Sequence, residues 1–397
     1  MNLGSLGRQN EAPRQVGALS RLGHTAGQLM LPITLCLIVR NDAERLRRCL
    51  TSCRNLFERV LVVDTGSTDR SREVAREQGA EVHEMEWPEA FDLARNFAFD
   101  LVASPWTMYL DSDEWLADDA PAKLERAVSR TDALGYFLLR RNLYSEGVFD
   151  QMRDLRLWRT HPLMRHRGVC HAQIPPEALE QAAEGRKLYD SDIAIWHDGY
   201  LGGISADKHE RGIRLMRREL ELRPGQLYYE IELARTLCLV GDPDGPPMIN
   251  RLADRLLAME SLDEPPVPLA AALLASELDL VGDEHLRDPR TDRLLRLLRG
   301  WFPDSPVAAN AAAKLHLRRG ELPQALRVML EMERMAEGGR YDRTLAFNPI
   351  VLQEALWTNL ALVAHQLGRK DVARRNYERL LARDPAHPVA SQNIRLL

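Results

Sequence analysis

The chain has 397 residues, of which 45% are hydrophobic and 28% charged. These fractions describe an ordinary folded protein, and the length predicts about two domains. The formal net charge of −5 argues against broad nucleic-acid binding through excess basic residues. The most apolar run, residues 31–39, is far shorter than the ~20 residues of a transmembrane helix. We therefore expect no nucleic-acid partner and no transmembrane segment.

The N-terminal residues and the cysteines indicate a cellular location. Residues 1–31 are rich in Gly, Arg, Gln and Ser and lack a continuous apolar stretch, so we expect a flexible leader and not a secretory signal. The five cysteines are sparse and odd in number, which predicts reduced, structural thiols. Both features favour a cytoplasmic protein, with peripheral contact to the inner membrane left open.

Residues 32–204 alternate predicted strands and helices. Short apolar runs rich in β-forming residues predict strands at 33–39, 59–63, 80–85 and 106–110. Apolar residues at helical spacing predict helices at 43–53, 70–78 and 91–102. Asn41 and Asp42 are expected to cap the first helix, and Gly79 to end the second. This order predicts an α/β fold with a mostly parallel sheet, whose ligands bind beyond the carboxyl ends of the strands.

Residues 205–397 predict consecutive helices without strands. Six residues near the C-terminus fall at the spacings of a tetratricopeptide repeat, a helix-turn-helix of 34 residues: Trp357, Leu360, Gly368, Ala373, Tyr377 and Pro385. Residues 309–332 repeat part of this pattern around Gly320, with 14 residues inserted between the two units, and residues 233–241 are a third candidate. We predict an all-α, tetratricopeptide-like domain, with a non-repetitive helical bundle as the alternative.

Two carboxylates directly follow the fourth predicted strand. Asp111 and Asp113 are separated by Ser112, and Glu114 extends the acidic cluster. At the end of a buried strand these carboxylates can project into a ligand crevice. Mg²⁺ or Mn²⁺ prefers such oxygen ligands and often shares substrate phosphates. The alternative is a solvated turn or a helix cap.

A second acidic strand end lies at Asp64. Gly66 allows close approach of a ligand to the backbone, and Ser67 and the amides that follow can donate hydrogen bonds. The alternative is a plain strand-turn-helix capped by Ser67 or Asp69. Two acidic strand ends in one sheet favour the ligand site.

A polar face is predicted on the helix that begins near Phe91. Asp92, Arg95 and Asn96 lie at positions i, i+3 and i+4, so they share one side of the helix. This side could lie over a sugar and its diphosphate. The alternative is an internal ion pair between Asp92 and Arg95 on a solvated face.

Four segments together resemble the family 2 glycosyltransferases: 35–41, 62–69, 91–96 and 110–114. Within the family they are similar to the bacterial branch that carries C-terminal tetratricopeptide repeats and includes SunS-type peptide glycosyltransferases. The resemblance implies a GT-A fold, a UDP-sugar donor, a divalent cation (Mg²⁺ or Mn²⁺) and inversion at the anomeric carbon.

The resemblance also implies roles for individual residues. Asp64 would hold the uracil or ribose of the donor, Asp111 would face the ribose or sugar, and Asp113 would bind the metal. His197, in a segment that resembles a histidine-bearing strand, would contact the metal or the diphosphate, or else be structural. The full set of donor-binding candidates is Val39, Asn41, Asp64, Gly66, Ser67, Asp69, Asp92, Arg95, Asn96, Asp111 and Ser112.

The general base departs from the pattern of this branch. Segments 154–159 and 167–171 resemble its acceptor side, but the Glu that usually follows the matching histidine is Ala172 here. Inversion requires a group that takes the proton of the acceptor, and the candidates are Asp154, His171 and Glu177. A thiolate acceptor that needs less help, or a slow or inactive enzyme, are the alternatives.

We predict an inverting, metal-dependent glycosyltransferase with a peptide or protein acceptor, because tetratricopeptide arrays form concave surfaces suited to peptides. The acceptor could instead be a cell-surface glycan or a lipid-linked molecule, and the helices could instead form a homodimer. Nucleotidyl transfer is a second enzyme class, although no Gly-rich phosphate loop with a lysine follows the first strand. A scaffold with a degenerate transferase domain is the non-catalytic alternative.

Overall fold

The structure, a computed structural model, describes residues 30–144, 149–199, 201 and 205–397. The predicted leader therefore lies almost entirely outside the described residues. The described part of the chain forms a sheet with helices on both faces, followed by helices alone. Within that part, no helix combines the length and the apolar character needed to cross a membrane.

Eight strands form a single sheet in the order β3-β2-β1-β4-β7-β6-β8-β5. Six of them run in one direction, and β7 and β5 run opposite to their neighbours. The mostly parallel sheet is therefore confirmed, with two antiparallel insertions. The strands are β1 Leu31–Val39, β2 Phe57–Asp64, β3 Glu81–Glu84, β4 Trp106–Tyr109, β5 Glu114–Leu116, β6 Ala133–Leu143, β7 Phe149–Arg159 and β8 Lys187–His197.

Helices cover both faces of the sheet because its central strands are apolar on both sides. Leu35 and Leu37 of β1 contribute to one core, and Cys36 and Ile38 to the other. The first core includes side chains of α1, α2 and α4, and the second includes side chains of α3 and α5. These helices are α1 Ala43–Ser52, α2 Ser71–Glu77, α3 Phe91–Asp100, α4 Ala120–Val128 and α5 Pro176–Ala183.

One predicted helix cap is confirmed and one is wrong. Gly79 has φ +82° and follows α2, where the amides of Gly79 and Ala80 donate back to the last turn, as in a Schellman motif. Asp42 does not cap α1, because its carboxylate accepts the hydroxyl of Ser112 (2.6 Å). Asp69, from the next loop, accepts the amide of Ala43 instead (3.1 Å).

The helical part confirms the predicted change of structure after the sheet. It consists of α6 Ala206–Leu222, α7 Leu227–Leu239, α8 Gly245–Leu257, α9 Ala270–Leu280, α10 Pro289–Trp301, α11 Pro306–Arg318, α12 Leu322–Gly338, α13 Glu354–Gln366, α14 Lys370–Arg383 and α15 Pro388–Asn393. Short 3₁₀ helices lie at Asp283–His285, Pro349–Leu352 and Ile394–Leu396.

The predicted repeats correspond to three helical hairpins, α7–α8, α11–α12 and α13–α14. Gly241, Gly320 and Gly368 have positive φ at the three turns. At each turn the glycine amide and the next amide donate back to the preceding helix, so each hairpin has the same Schellman turn. The predicted insertion lies between α12 and α13, at 339–353.

The helices pack directly against the sheet domain. Val169 and Cys170, from the loop after β7, share a buried cluster with Leu215 of α6 and with Tyr229 and Leu233 of α7. Farther along the chain, the amide of Arg153 in β7 donates to the carbonyl of Arg343 in the insertion (3.3 Å). The helical part therefore contacts β7 or its following loop at two places.

Candidate functional site

Asp64 has one carboxylate oxygen engaged and one without a partner. The residue is 1% exposed at the end of β2. Its Oδ1 accepts the amides of Gly66 (3.1 Å) and Ser67 (2.9 Å). Its Oδ2 is buried, and no described residue donates to it. A buried carboxylate oxygen left unpaired costs free energy, so this oxygen could accept a hydrogen bond from a ligand.

The loops after β1 and β2 are joined into one rigid edge. Val39 is paired with Asp64 in register, and its carbonyl accepts the amide of Thr65 (2.9 Å). The backbone amide of Asn41 donates to the hydroxyl of Ser67 (2.9 Å), and the side-chain Oδ1 of Asn41 accepts the backbone amide of Thr68 (2.7 Å). These contacts fix the backbone around Asp64 and Gly66.

The predicted polar face of α3 exists, but its members point to different partners. Asp92 accepts the amide of Gly168 (2.8 Å). Asn96 donates from Nδ2 to the backbone carbonyl of His166 (2.8 Å), and its Oδ1 accepts the backbone amide of the same histidine (2.9 Å). Asp92 and Asn96 therefore hold residues 166–168, which makes them positioning residues for that loop.

Arg95, the third member, reaches the carboxylates that follow β4. It pairs with Asp111 (2.7 Å) and not with Asp92, so the alternative of an internal pair on a solvated face does not hold. Arg156 lies 3.8 Å from the other oxygen of Asp111. Burial acts to raise the pKa of Asp111, but the two guanidinium groups outweigh it and hold that pKa well below its usual range. Asp111 is therefore ionised.

Asp113 and His197 come together as the sequence predicts. Asn142 donates from Nδ2 to Asp150 (2.6 Å), so its Oδ1 faces His197 Nδ1 (2.7 Å). An amide oxygen only accepts, so the Nδ1 of His197 donates this hydrogen bond. The Nε2 of the same ring lies 3.5 Å from Asp113 Oδ2. His197 and Asp113 are therefore placed so that either a proton or a cation could lie between them.

Further carboxylates surround this pair. Ser112 donates to Asp42, and burial raises the pKa of Asp42, to which the nearby charges of Asp113 and Asp198 add. A Cβ on Gly199 would collide with both His197 Nε2 and Asp113 Oδ2, so only glycine fits there. A cation near Asp113 would relieve the repulsion among the carboxylates.

The metal prediction is supported in part by this donor set. Among the described residues, no cluster of three or more His, Cys, Asp or Glu side chains is placed to hold a metal ion. Asp113 and His197 therefore supply two ligands at most. This suits a cation that takes its remaining ligands from water and a bound phosphate, as Mg²⁺ commonly does.

The three candidates for the general base lie in different surroundings. Asp154 is flanked by Arg140 (3.3 Å) and Arg156 (3.4 Å). Burial acts to raise its pKa, but these arginines lower it overall, which makes Asp154 a weak base. Glu177 is exposed and paired with Arg167 (2.8 Å) on the surface, and no contact given for the described residues joins it to the site.

His171 is the candidate that contacts the helical part. Its backbone has φ +48°, a conformation that is uncommon outside glycine. The residue is solvent-accessible, and its ring contacts that of Tyr228 of α7 edge-on, with the centroids 6.2 Å apart. Partial desolvation by the surrounding protein lowers its pKa, so the imidazole is neutral near pH 7.

Sequence reasoning missed three residues that organise the site. Arg156 makes a bidentate pair with the fully buried Glu114 (2.8 and 3.0 Å), whose carboxylate also accepts the amide of Asp111 (2.9 Å). Asn142 sets the tautomer of His197, and Asp42 anchors Ser112. Arg156 lies inside the segment 154–159 that carried the resemblance, whereas Asn142 had no local signal.

Residues 34–188 match the model of Glycosyl transferase family 2. The matched segment includes Asp64, Asp111 and Asp113, and ends within β8. The sheet domain is therefore similar to family 2 glycosyltransferases over most of its length, and helices that form tetratricopeptide-like hairpins follow it.

The names of two curated relatives each give one of these two features. A TPR repeat-containing protein of Synechococcus elongatus is 33% identical over 44% of this chain and 44% of its own length. The glycosyltransferase SunS of Bacillus subtilis is 27% identical over 48% of this chain and 46% of its own length. The chain thus spans less than half the length of these relatives.

Solved structures are only distantly similar. Residues 1–349 of Staphylococcus aureus TarS, in complex with UDP-GlcNAc, give a TM-score of 0.37 at 12% identity, covering 80% of this chain and 96% of that one. Glucosyl-3-phosphoglycerate synthase of Mycobacterium tuberculosis gives 0.31 at 14% identity, covering 42% and 71%. Likenesses this low say nothing about what this chain binds.

Proposed function

We propose that this chain is an inverting glycosyltransferase that uses a UDP-sugar donor. The observation that carries the proposal is the constellation at the ends of β2, β4 and β8. There Asp64 offers an unpaired buried oxygen, and Asp113 Oδ2 lies 3.5 Å from Nε2 of His197. Asp64 and Asp113 lie in the segment that matches Glycosyl transferase family 2.

Each donor-side residue has a distinct task in this proposal. Asp64 Oδ2 accepts an N–H or O–H from the uracil or the ribose. Asp111, kept ionised by Arg95 and Arg156, faces the ribose or the sugar. Asp113 and His197 would hold Mg²⁺ or Mn²⁺, which supplies positive charge to the departing diphosphate. Gly66 and Ser67 let the nucleotide approach the backbone.

On the acceptor side, His171 is the favoured general base. It is neutral near pH 7 and accessible to solvent, whereas Asp154 is neutralised by two arginines and Glu177 is paired on the surface. A neutral imidazole can take the proton of an attacking hydroxyl or thiol. In this proposal His171 takes over the role of the glutamate that the branch usually carries where this chain has Ala172.

The acceptor is proposed to be a peptide or protein. The helical hairpins and the contacts that α7 and the insertion make with the sheet domain support this proposal, because an extended chain could lie along the helices and reach the site. Action on a cell-surface glycan or a lipid-linked acceptor is the competing outcome. The five free cysteines support a cytoplasmic location.

Hydrolysis of a panel of UDP- and GDP-sugars with Mn²⁺ tests the proposal. The wild type is expected to turn over at least one UDP-sugar, and Asp113→Ala to lose most of that activity. Asp118→Ala is the matched control, because Asp118 is an exposed aspartate five residues farther along, after β5. Full activity of Asp113→Ala would contradict the metal role. Absence of both binding and turnover for every donor would favour the scaffold.

A further inference from the structure

The segment 166–171 is held from two sides. On the sheet side, Asp92 and Asn96 of α3 bond to the backbone of Gly168 and His166. On the helical side, Glu219 of α6 accepts the amide of Val169 (2.7 Å), and Tyr229 of α7 donates to the carbonyl of Cys170 (2.8 Å). The helical part thus fixes the backbone immediately before His171.

Helix α7 also forms the wall that His171 faces. The ring of Tyr228 lies against the imidazole at an interplanar angle of 68°. Glu232 follows Tyr228 by one helical turn, on the same side of α7. Its side chain is 20% exposed, and among the described residues its ion pair with Arg235 is a loose contact (3.7 Å). The carboxylate is therefore not neutralised by a close partner and can act on the charge of His171.

The charges around His171 oppose one another. Burial is the largest influence and lowers its pKa. Arg140 of β6 and Arg95 of α3 lower it further, while Glu232 of α7 raises it. Tyr228 packs between α7 and the ring as a neutral group, because burial raises its own pKa far above neutral pH. Of the charged groups that act on His171 in the described chain, Glu232 is the one that favours proton uptake.

We propose that Glu232 is a positioning residue of the acceptor side, which acts through His171 from the helical domain. This inference rests on the proposed function. In the transfer step the acceptor oxygen or sulfur bonds to the anomeric carbon, and the bond to the diphosphate breaks with its electron pair leaving on UDP. The acceptor proton passes to a ring nitrogen of His171. Glu232 stabilises the imidazolium that forms, opposing Arg95 and Arg140.

Glu232→Gln removes this charge while keeping the shape of the side chain. Glu230→Gln is the matched control, because Glu230 lies on the same helix but pairs with Arg255 (2.6 Å). Histidine-labelled full-length protein is titrated by NMR, with His171→Gln used to assign the resonance. The pH dependence of UDP-glucose hydrolysis is measured in parallel, with water as the acceptor, and thermal melting shows that each variant folds.

In Glu232→Gln the titration midpoint of His171 is expected to move to lower pH. The acidic limb of the pH–rate profile of hydrolysis should move in the same direction, and the rate at its plateau should be lower. Neither should move in Glu230→Gln. An unshifted His171 resonance would overturn the proposal, and so would a shifted resonance with an unshifted acid limb. Failure of the wild type to bind or hydrolyse any donor would instead contradict the proposed function. The NMR titration still decides in that case whether Glu232 acts on His171.

Discussion

At the scale of single residues, one buried imidazole lies in surroundings that oppose its protonation. His166 is 5% exposed and is enclosed by the rings of Phe99, Tyr109 and Trp158. Its Nδ1 has no hydrogen-bond partner among the described residues. Burial lowers its pKa well below the usual value, and the charges of Arg95 and Arg156 add to this. His166 is therefore neutral in the folded protein.

His166 should make stability depend on pH. Its folded pKa is depressed, so the unfolded chain binds a proton that the folded protein excludes. The stability is complete above about pH 6.5 and falls below it, by about 1.4 kcal/mol per pH unit. His166→Phe should remove this loss, as measured by urea unfolding at pH 7 and pH 5. The exposed His285→Phe is the control, and equal pH dependence in wild type and His166→Phe would contradict the prediction.

The residues of the site were predictable to different extents. Asp111, Asp113 and Asp64 could be found because each directly follows an apolar run, which marks a strand end. Their partners could not, because contacts such as Arg156 with Glu114 join residues 42 positions apart. The pair of Asp113 with His197 was expected from the family resemblance, not from spacing.

At the scale of elements, the predicted strands and helices up to residue 110 agree with the structure to within a few residues. The hairpin of β6 and β7 was not foreseen as strands inserted into the sheet. Its sequence is rich in arginines, and Arg140 of β6 pairs with Glu114 of β5 and with Asp154 of β7. The apolar run that marked the other strands is therefore missing here. The cap of α1 was wrong for a related reason, since the capping carboxylate comes from the next loop.

The loop before α5 should be sensitive at Gly168. This glycine has φ +129°, and a Cβ there would meet the hydroxyl of Tyr229 in α7. Gly168→Ala is expected to lower both the melting temperature and donor hydrolysis. Gly185→Ala is the control, because Gly185 also has positive φ (+82°) but no heavy atom within 4 Å of the added Cβ. Equal losses in the two variants would show that backbone strain alone matters.

At the scale of the whole molecule, the order of a sheet domain followed by repeat-like helices was predictable from periodicity alone. The docking of α6 and α7 on the sheet domain was not, because Glu219 and Val169 are 50 residues apart and Tyr229 and Cys170 are 59 apart. Neither segment contains a sequence motif from which the contact could be predicted. The shared buried cluster nevertheless joins these helices to the sheet domain.

This docking predicts a long-range effect of Glu219. Its carboxylate is fully buried and accepts from Val169, Arg223 and Gln226. Glu219→Ala should destabilise the sheet domain by about 1–3 kcal/mol, because it leaves a buried amide unpaired. Hydrogen exchange at Val169 and its neighbours should accelerate. The exposed Glu221→Ala, on the same helix, should change neither, and unaltered protection at Val169 in Glu219→Ala would contradict the prediction.

The central claim is that the strand-end site binds a nucleoside diphosphate through a cation held by Asp113 and His197. Calorimetric titration of UDP, with Mn²⁺ and with EDTA, tests it most directly. Wild type and Asp118→Asn should bind UDP with Mn²⁺ and lose on the order of tenfold or more in affinity with EDTA. Asp113→Asn should bind UDP with Mn²⁺ and with EDTA at the same weak affinity that the wild type shows with EDTA. Mn²⁺-dependent binding of unchanged strength in Asp113→Asn would contradict the claim.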